Sequence, residues 1–296
     1  MPCFPENASS ACDGNVRRVR RNAIPATQIL DRFVSVRQHA AVQFAILGSG
    51  SGGNATLASA NGLNILIDAG LSARQLTTRI QMMAVDRIDA ILLTHEHGDH
   101  VRGLKTFLKS RDIPIYATSA TAHVLRENGI QAKWKTFEAG QGFAIDDLRV
   151  ESFSILHDAV DPVGYVIRSQ KKNLGIISDA GHVTQSVIEQ LKGMHGLFLE
   201  ANYDEDLLAS DTKRPWSIKQ RISSRHGHLS NKQAAELLQS IGHQHLRHVV
   251  LGHLSGDCND SQLATATMKN ALKVKGLGDV EVCCACQDEP RGWWQL

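Results

Sequence analysis

Ile88-Asp89-Ala90-Ile91-Leu92-Leu93 runs without a break into Thr94-His95-Glu96-His97-Gly98-Asp99-His100. An apolar run of this length reads as a buried strand, and the polar heptad after it as the loop where the chain leaves the core. The heptad carries three imidazoles and two carboxylates. Imidazole nitrogen and carboxylate oxygen suit zinc, manganese and iron, and alternation at His95 and His97 followed by adjacent Asp99 and His100 lets one short loop face two metal positions. The competing reading is a solvated loop that merely contains histidines. Four candidate donors at this spacing, directly after a strand, argue against it.

Working outward, the other strand-like runs end in the same manner. Leu63-Asn64-Ile65-Leu66-Ile67 stops at Asp68, Leu148 to Leu156 at His157, Leu174-Gly175-Ile176-Ile177-Ser178 at Asp179, and His248-Val249-Val250-Leu251-Gly252 at His253. Helical patterns are expected over Ala73 to Met82, Val101 to Ser110, Thr121 to Glu127, Thr184 to Leu191, Ser217 to Ser223, Asn231 to Ile241 and Gln262 to Leu272. Strand runs first, then strands mixed with helices, predict two sheets sandwiched between helices, an α/β architecture whose rim collects all the polar strand ends.

Gly48-Ser49-Gly50-Ser51-Gly52-Gly53 satisfies a Gly-x-Gly-x-x-Gly pattern. That fingerprint opens a helix in dinucleotide-binding folds, whereas here Ala55 to Ser59 and Leu63 to Asp68 read as two strands around an Asn61-Gly62 turn, so a nucleotide site is rejected.

The 296 residues suffice for a large core, and 42% hydrophobic with 21% charged residues is ordinary for a globular chain. A formal net charge of +2 leaves no global field for nucleic acid, so any such role needs a local patch. Lys213, Arg214, Lys219, Arg221 and Arg225, with Trp216 among them and no acid from Lys213 to His228, form that patch, read either as a phosphate-neutralising, base-stacking surface or as a solvated helix face. Six cysteines with no even spacing that would mark a disulfide framework suggest a reducing cytoplasmic setting, and no apolar run reaches membrane-spanning length. Residues 1–42, with Arg17, Arg18, Arg20 and Arg21 and no clean period, are expected to be a disordered extension before a domain at 43–296.

His95-x-His97-x-Asp99-His100, with Asp68, His157, Asp179 and His253, resembles the metallo-β-lactamase superfamily in its two-metal hydrolase form. Ser49 to Asn54, Ile67 to Ser72, Asp161 to Tyr165, Leu199-Glu200-Ala201-Asn202, Gly227 to Asn231 and Leu251 to Ser255 further resemble the YycJ (WalJ)-like branch, related to tRNase Z and to exonucleases. Gly52 stands where that branch usually has serine, and Ser178-Asp179-Ala180-Gly181-His182 where it usually has Asp-Thr-Gly-Tyr.

The resemblance implies a four-layer αββα sandwich holding two divalent metal ions, zinc, manganese or iron. His95, His97 and His157 would hold one, Asp99, His100 and His253 the other, and Asp179 would bridge them. It implies a catalytic set of Asp68, Asp99, Glu200 and His228, with Asp68 orienting a ligand histidine and His228, paired with Glu200, giving a proton to the leaving oxygen of a phosphodiester attacked by a metal-activated hydroxide. Asn202, Ser230, Ser255 and Asn259 would contact phosphate or support the ligands. Only 74 positions separate Asp179 from His253, too few for a β-CASP cap domain. The expected function is a phosphodiesterase, foremost an exonuclease on DNA ends rather than on RNA. The alternative is a small-molecule hydrolase, either a cyclic phosphodiesterase or a glyoxalase-like thioesterase.

Overall fold

The hydrophobic alternation along the strands divides the interior into three layers of apolar contact. In the computed structural model, which describes residues 42–169 and 172–296, Ile65 and Ile67 point inward between two sheets while Leu66 points outward, and Phe198 points inward while Leu197 and Leu199 point outward. Strands buried on both faces read as unbroken apolar runs, which is why β4 (Ala90–Leu92) is apolar throughout. The expected extension over residues 1–42 lies, but for Val42, outside the described residues.

The first sheet has the order β14-β1-β2-β3-β4-β5-β6. Strands β1 (Gln43–Gly48), β2 (Ala55–Ala60) and β3 (Leu63–Ile67) are antiparallel, and β4, β5 (Pro114–Thr118) and β6 (Lys133–Phe137) continue it in parallel. The crossovers carry α1 (Ala73–Met82), the short α2 (Gly98–Val101) and α3 (Leu104–Phe107), and α4 (Ser119–Glu127). The second sheet runs β13-β12-β11-β10-β9-β8-β7. Its antiparallel half is β7 (Gly142–Ile145), β8 (Leu148–Ser154), β9 (Val163–Ser169) and β10 (Lys172–Ile177); β11 (Gly196–Glu200), β12 (His248–Gly252) and β13 (Glu281–Cys284) add in parallel. Helices α5 (Gln185–Leu191), α6 (Glu205–Ser210), α7 (Trp216–Ile222), α8 (Asn231–Ile241) and α9 (Ser261–Val274) follow this sheet's strands.

Phe44, Ile46, Ile67 and Leu92 meet Tyr165, Ile176 and Val250 between the sheets. Leu76, Leu104, Phe107 and Leu125 cover the outside of one sheet, and Val187, Leu191, Leu238, Met268 and Leu272 the outside of the other. The result is the expected αββα sandwich. Its parallel halves bring the carboxyl ends of β3, β4, β10, β11 and β12 to one rim, the usual place for a site in parallel sheets.

Two local expectations are corrected. The helix expected over Val101 to Ser110 is broken into α2, α3 and a 3₁₀ turn, because Gly103 lies against the Asp68–Leu71 segment, where a β-carbon would come within 2.0 Å of the Leu71 carbonyl. Strands β6, β7 and β14 (Arg291–Gln295) were not foreseen; they are short edge strands, and only pairing with distant neighbours marks them out. The terminal tryptophans pack on the domain: β14 pairs with β1, the Trp294 ring lies 5.2 Å from that of Phe44, and Trp293 Nε1 donates to the Met83 carbonyl.

Candidate metal centre

Strand ends deliver the heptad and its partners to the rim in a conformation that side chains rarely adopt. Asp68, Asp179 and His253, each just beyond its strand, have φ of 62°, 57° and 54°. Non-glycine residues in this left-handed region cost on the order of 1–3 kcal/mol each, and such strain collects at functional sites. Here it turns three strand ends sharply enough to bring their side chains together.

The ring nitrogens sort themselves. His100 Nδ1 lies 2.7 Å from Asp68 Oδ2, His253 Nδ1 2.9 Å from Glu200 Oε1, and His157 Nδ1 3.1 Å from the Gly227 carbonyl. His95 Nδ1 lies 3.0 Å from the hydroxyl of Thr94. With Nδ1 engaged by the protein, Nε2 of each is left for the centre, the arrangement in which a second partner fixes tautomer and ring plane. His97 is the exception and turns Nδ1 to within 3.3 Å of His157 Nε2.

Two groups of donors result. His95, His97 and His157 form one, and Asp99, His100, Asp179 and His253 the other. Asp179 stands between them, with Oδ2 3.1 Å from His100 Nε2 and Oδ1 4.0 Å from His157 Nε2. These residues fit divalent cations on two observations. His95 Nε2 is buried without a hydrogen-bond partner, although burying an unpaired polar atom is costly. Tetrahedral ligands at the zinc–nitrogen distance of about 2.0–2.1 Å lie about 3.3 Å apart, which is the His97–His157 separation. A third grouping of Asp179, Glu200, His228 and His253 is geometrically close, but Glu200 is already filled: His228 Nδ1, His253 Nδ1 and the amides of Ala180 and Leu229 all reach its two oxygens.

Burial, reinforced by neighbouring His100, pushes the His95 imidazole well below its ordinary value, and burial lowers His157, so both favour the neutral form that a metal ligand needs. For His253 burial works the other way from its neighbours and loses: Asp179, Asp99 and Glu200 push it up to about 10. Burial likewise opposes, without cancelling, the carboxylates of Asp179 and Asp68 that raise His100 and that of Glu200 that raises His228. Burial alone would raise Asp179, but His253 and His100 hold its carboxyl well below the usual range. Cations entering this cluster take the place of protons.

Every predicted ligand is at the centre, and so are Asp68, Glu200 and His228. Sequence reasoning assigned no role to Thr94, whose backbone N–H and hydroxyl both donate to Asp68 at 2.9 Å, or individually to Asn54. Asn54 Oδ1 accepts from Ser49 Oγ and the Gly50 amide, which directs Nδ2 toward Asp99 Oδ2 at 3.4 Å; Ser49 Oγ in turn accepts from the His253 amide. The Gly-rich loop thus holds the second donor group rather than a nucleotide. The position of Asn54 directly after the glycines was its only signal in the sequence.

One expectation fails here and one open reading is narrowed. Ser230 is buried and caps α8 while donating to Glu205, and Asn259 exchanges amide hydrogen bonds with Asn231, so neither faces the cavity; Asn202 and Ser255 do line it. The basic segment is largely neutralised. Arg221 pairs with Asp158, Arg214 with Asp211 and Asp257, and Lys213 with Asp257. The cavity at the centre measures about 290 Å³ and is lined by His97, Asp99, His157, Asp179, His228 and His253, with Arg214 and Arg221 at its edge.

Residues 63–254 match the family described as "Beta-lactamase superfamily domain". Exodeoxyribonuclease YycJ of Bacillus anthracis is 32% identical over 243 residues, covering 80% of this chain and 91% of that protein. Exodeoxyribonuclease WalJ of Streptococcus pneumoniae serotype 2 is 33% identical over 244 residues, covering 80% and 90%. Among solved structures, the metallo-beta-lactamase fold protein YhfI from Bacillus subtilis superposes with a TM-score of 0.64 at 17% identity, over 85% of this chain and 99% of that one. The short form of human tRNase Z gives 0.56 at 18% identity, over 85% and 99%. Both share the fold.

Proposed function

The chain belongs to the β-lactamase superfamily, in the branch that resembles YycJ and WalJ, and is a metal-dependent hydrolase; from that premise we propose that it cleaves phosphodiesters, removing nucleotides from DNA ends in the cytoplasm. One observation carries the reading beyond metal-assisted hydrolysis in general: His228, on the cavity wall beside Asp179, is held by the fully buried Glu200 at 2.9 Å. A carboxylate against an imidazole favours its charged form, the form a general acid needs near neutral pH.

His95, His97 and His157 would hold one cation and Asp99, His100 and His253 the second, with Asp179 reaching both. Two divalent cations so held, zinc, manganese or iron by donor type, neutralise charge on a phosphodiester and lower the pKa of water. The chain's own residues do the rest. Asp68 and Glu200 fix the planes of His100 and His253, and Thr94 fixes Asp68. His228, its Nδ1 committed to Glu200, holds a proton at Nε2 and gives it to the departing oxygen. The names of the two curated relatives favour DNA. Four free thiols among the described residues suit a reducing compartment, and no described helix is long and apolar enough to cross a membrane. A small phosphodiester is the second reading, favoured by the modest cavity and by the ion-paired state of Lys213, Arg214 and Arg221.

The manganese-loaded protein, given end-labelled duplex DNA, single-stranded DNA, RNA and a chromogenic phosphodiester, is expected to shorten DNA stepwise from its ends, and Asp179→Asn to abolish this. Turnover of the small ester alone would overturn the nuclease reading.

A further inference from the structure

Helix α7 borders the metal cavity and yet contains no buried residue. Helices on a domain surface normally bury one face. Here Ile218, Arg221 and Ile222 line the metal cavity, whereas Trp216, Lys219 and Gln220 line a second cavity of about 350 Å³. At 100° per residue the two sets fall on opposite sides of the helix. Ion pairs hold it, Arg221 to Asp158 and, just before the helix, Arg214 to Asp211 and Asp257, together with the half-buried Ile222, which packs against Tyr203, Leu208 and Cys258. The helix is a partition between two cavities.

The floor of the second cavity is apolar, formed by the buried Tyr203 and Leu208. One wall is Trp216, 70% exposed and the one exposed tryptophan among the described residues. A side chain of that size left in water beside a cavity is a flat surface without a partner. Around it, Gln220 supplies an amide that both donates and accepts, and Gln233, whose Oε1 accepts from the Ser230 amide at 2.9 Å, supplies its Nε2 as a donor. The Glu205 carboxylate in the same cavity, one oxygen of which accepts from Ser230 Oγ, repels a phosphate but can accept from an exocyclic amine with the other, and the Lys219 ammonium, which donates to the Ala209 carbonyl, has donors left for a sugar-phosphate outside.

We propose that this second cavity is a base-binding groove, taking a nucleobase of the same single strand whose phosphodiester lies at the metal centre. The inference rests on the nucleic-acid reading and names its substrate form: an unstacked strand bent over α7. The two cavities are separated by a helix about 10–12 Å across, about three stacked nucleotide steps at about 3.4 Å each and fewer once unstacked. A dinucleotide at the metals cannot reach Trp216, and an octanucleotide can.

The test measures binding of phosphorothioate-linked dinucleotide and octanucleotide to the manganese-loaded protein, comparing wild type with Trp216→Ala and Trp216→Phe, with thermal unfolding of each variant checked alongside. Loss of one stacked base predicts about tenfold weaker octanucleotide binding in Trp216→Ala, most of it recovered in Trp216→Phe, with dinucleotide affinity shifted less than about twofold. If the octanucleotide binds Trp216→Ala as it binds wild type, or if both lengths weaken equally, the groove is overturned while DNA degradation by wild type leaves the nuclease reading standing. If wild type neither binds the octanucleotide nor degrades DNA, both fall.

Discussion

Glu200 is fully buried and bears on two histidines at once. Its Oε1 faces His228 Nδ1 and His253 Nδ1, each at 2.9 Å, while Oε2 accepts from the Ala180 amide at 2.8 Å. The proposed proton donor and a candidate ligand of the second group are therefore set by one side chain, and their substitutions should differ in kind. His228→Ala is expected to retain both metals, measured by elemental analysis after dialysis, and to lose about 10²–10⁴ in turnover as a general acid is removed. Glu200→Gln should lose turnover too, but also weaken metal binding by about 10–100-fold, because His253 loses the partner that orients it. Normal metal content in Glu200→Gln would show the contact with His253 to be idle, and metal loss in His228→Ala would make His228 a ligand. The pairing of Glu200 with His228 was legible through family resemblance. Its hold on His253 was not, since 53 positions separate them and nothing in either segment indicates the shared oxygen.

At the scale of elements, the candidate metal ligands arrive at strand ends, but a loop with no candidate ligand of its own keeps the second group in register. The Asn54 amide donates to the Asp99 carbonyl at 2.8 Å, its carbonyl accepts from Gly70, and its side chain reaches Asp99 Oδ2. Gly70 must be glycine, because a β-carbon there would stand 1.6 Å from the Asp99 carbonyl oxygen. Gln287, from the segment before β14, clamps the loop by accepting from the Gly52 amide and donating to the Gly53 carbonyl. Asn54→Ala should thus weaken the second metal by about 10–100-fold and leave the His95, His97 and His157 group untouched, a split that calorimetric titration with zinc resolves into two steps. Equal weakening of both steps, or of neither, would remove Asn54 from this role. The sequence showed that the loop precedes strands and so is no dinucleotide site, because strand alternation is local information. Its clamp is non-local: β14 pairs with β1 across nearly the whole described chain, and short edge strands carry too few residues to display a period.

For the whole molecule, the proposed nuclease function requires a nearly neutral protein to hold a polyanion. The run from Lys213 to His228 contains five lysines and arginines and no acid, and by itself it predicts a steep salt dependence. The fold supplies the acids from elsewhere: Asp158 beside His157, Asp257 beyond β12, and Asp211 just before the run. The charges of Lys213, Arg214 and Arg221 are therefore largely compensated before substrate arrives, and Lys219 and Arg225 are the members of the run without an ion pair among the described residues. For single strands the logarithm of the binding constant falls with the logarithm of salt concentration at about 0.7 per phosphate neutralised. Five free cations would give a slope of about −3.5, and two a slope of about −1.4. Binding of a phosphorothioate single strand to the metal-loaded protein, followed across a salt series, should yield the shallower value, with base stacking supplying the salt-insensitive remainder. A slope near −3.5 would mean that phosphates displace Asp158 and Asp257 from their arginine and lysine partners. In that case Asp158→Asn, which frees Arg221 in advance, should tighten binding at low salt; if the pair stays closed in the complex, the same substitution should instead loosen α7 and weaken it.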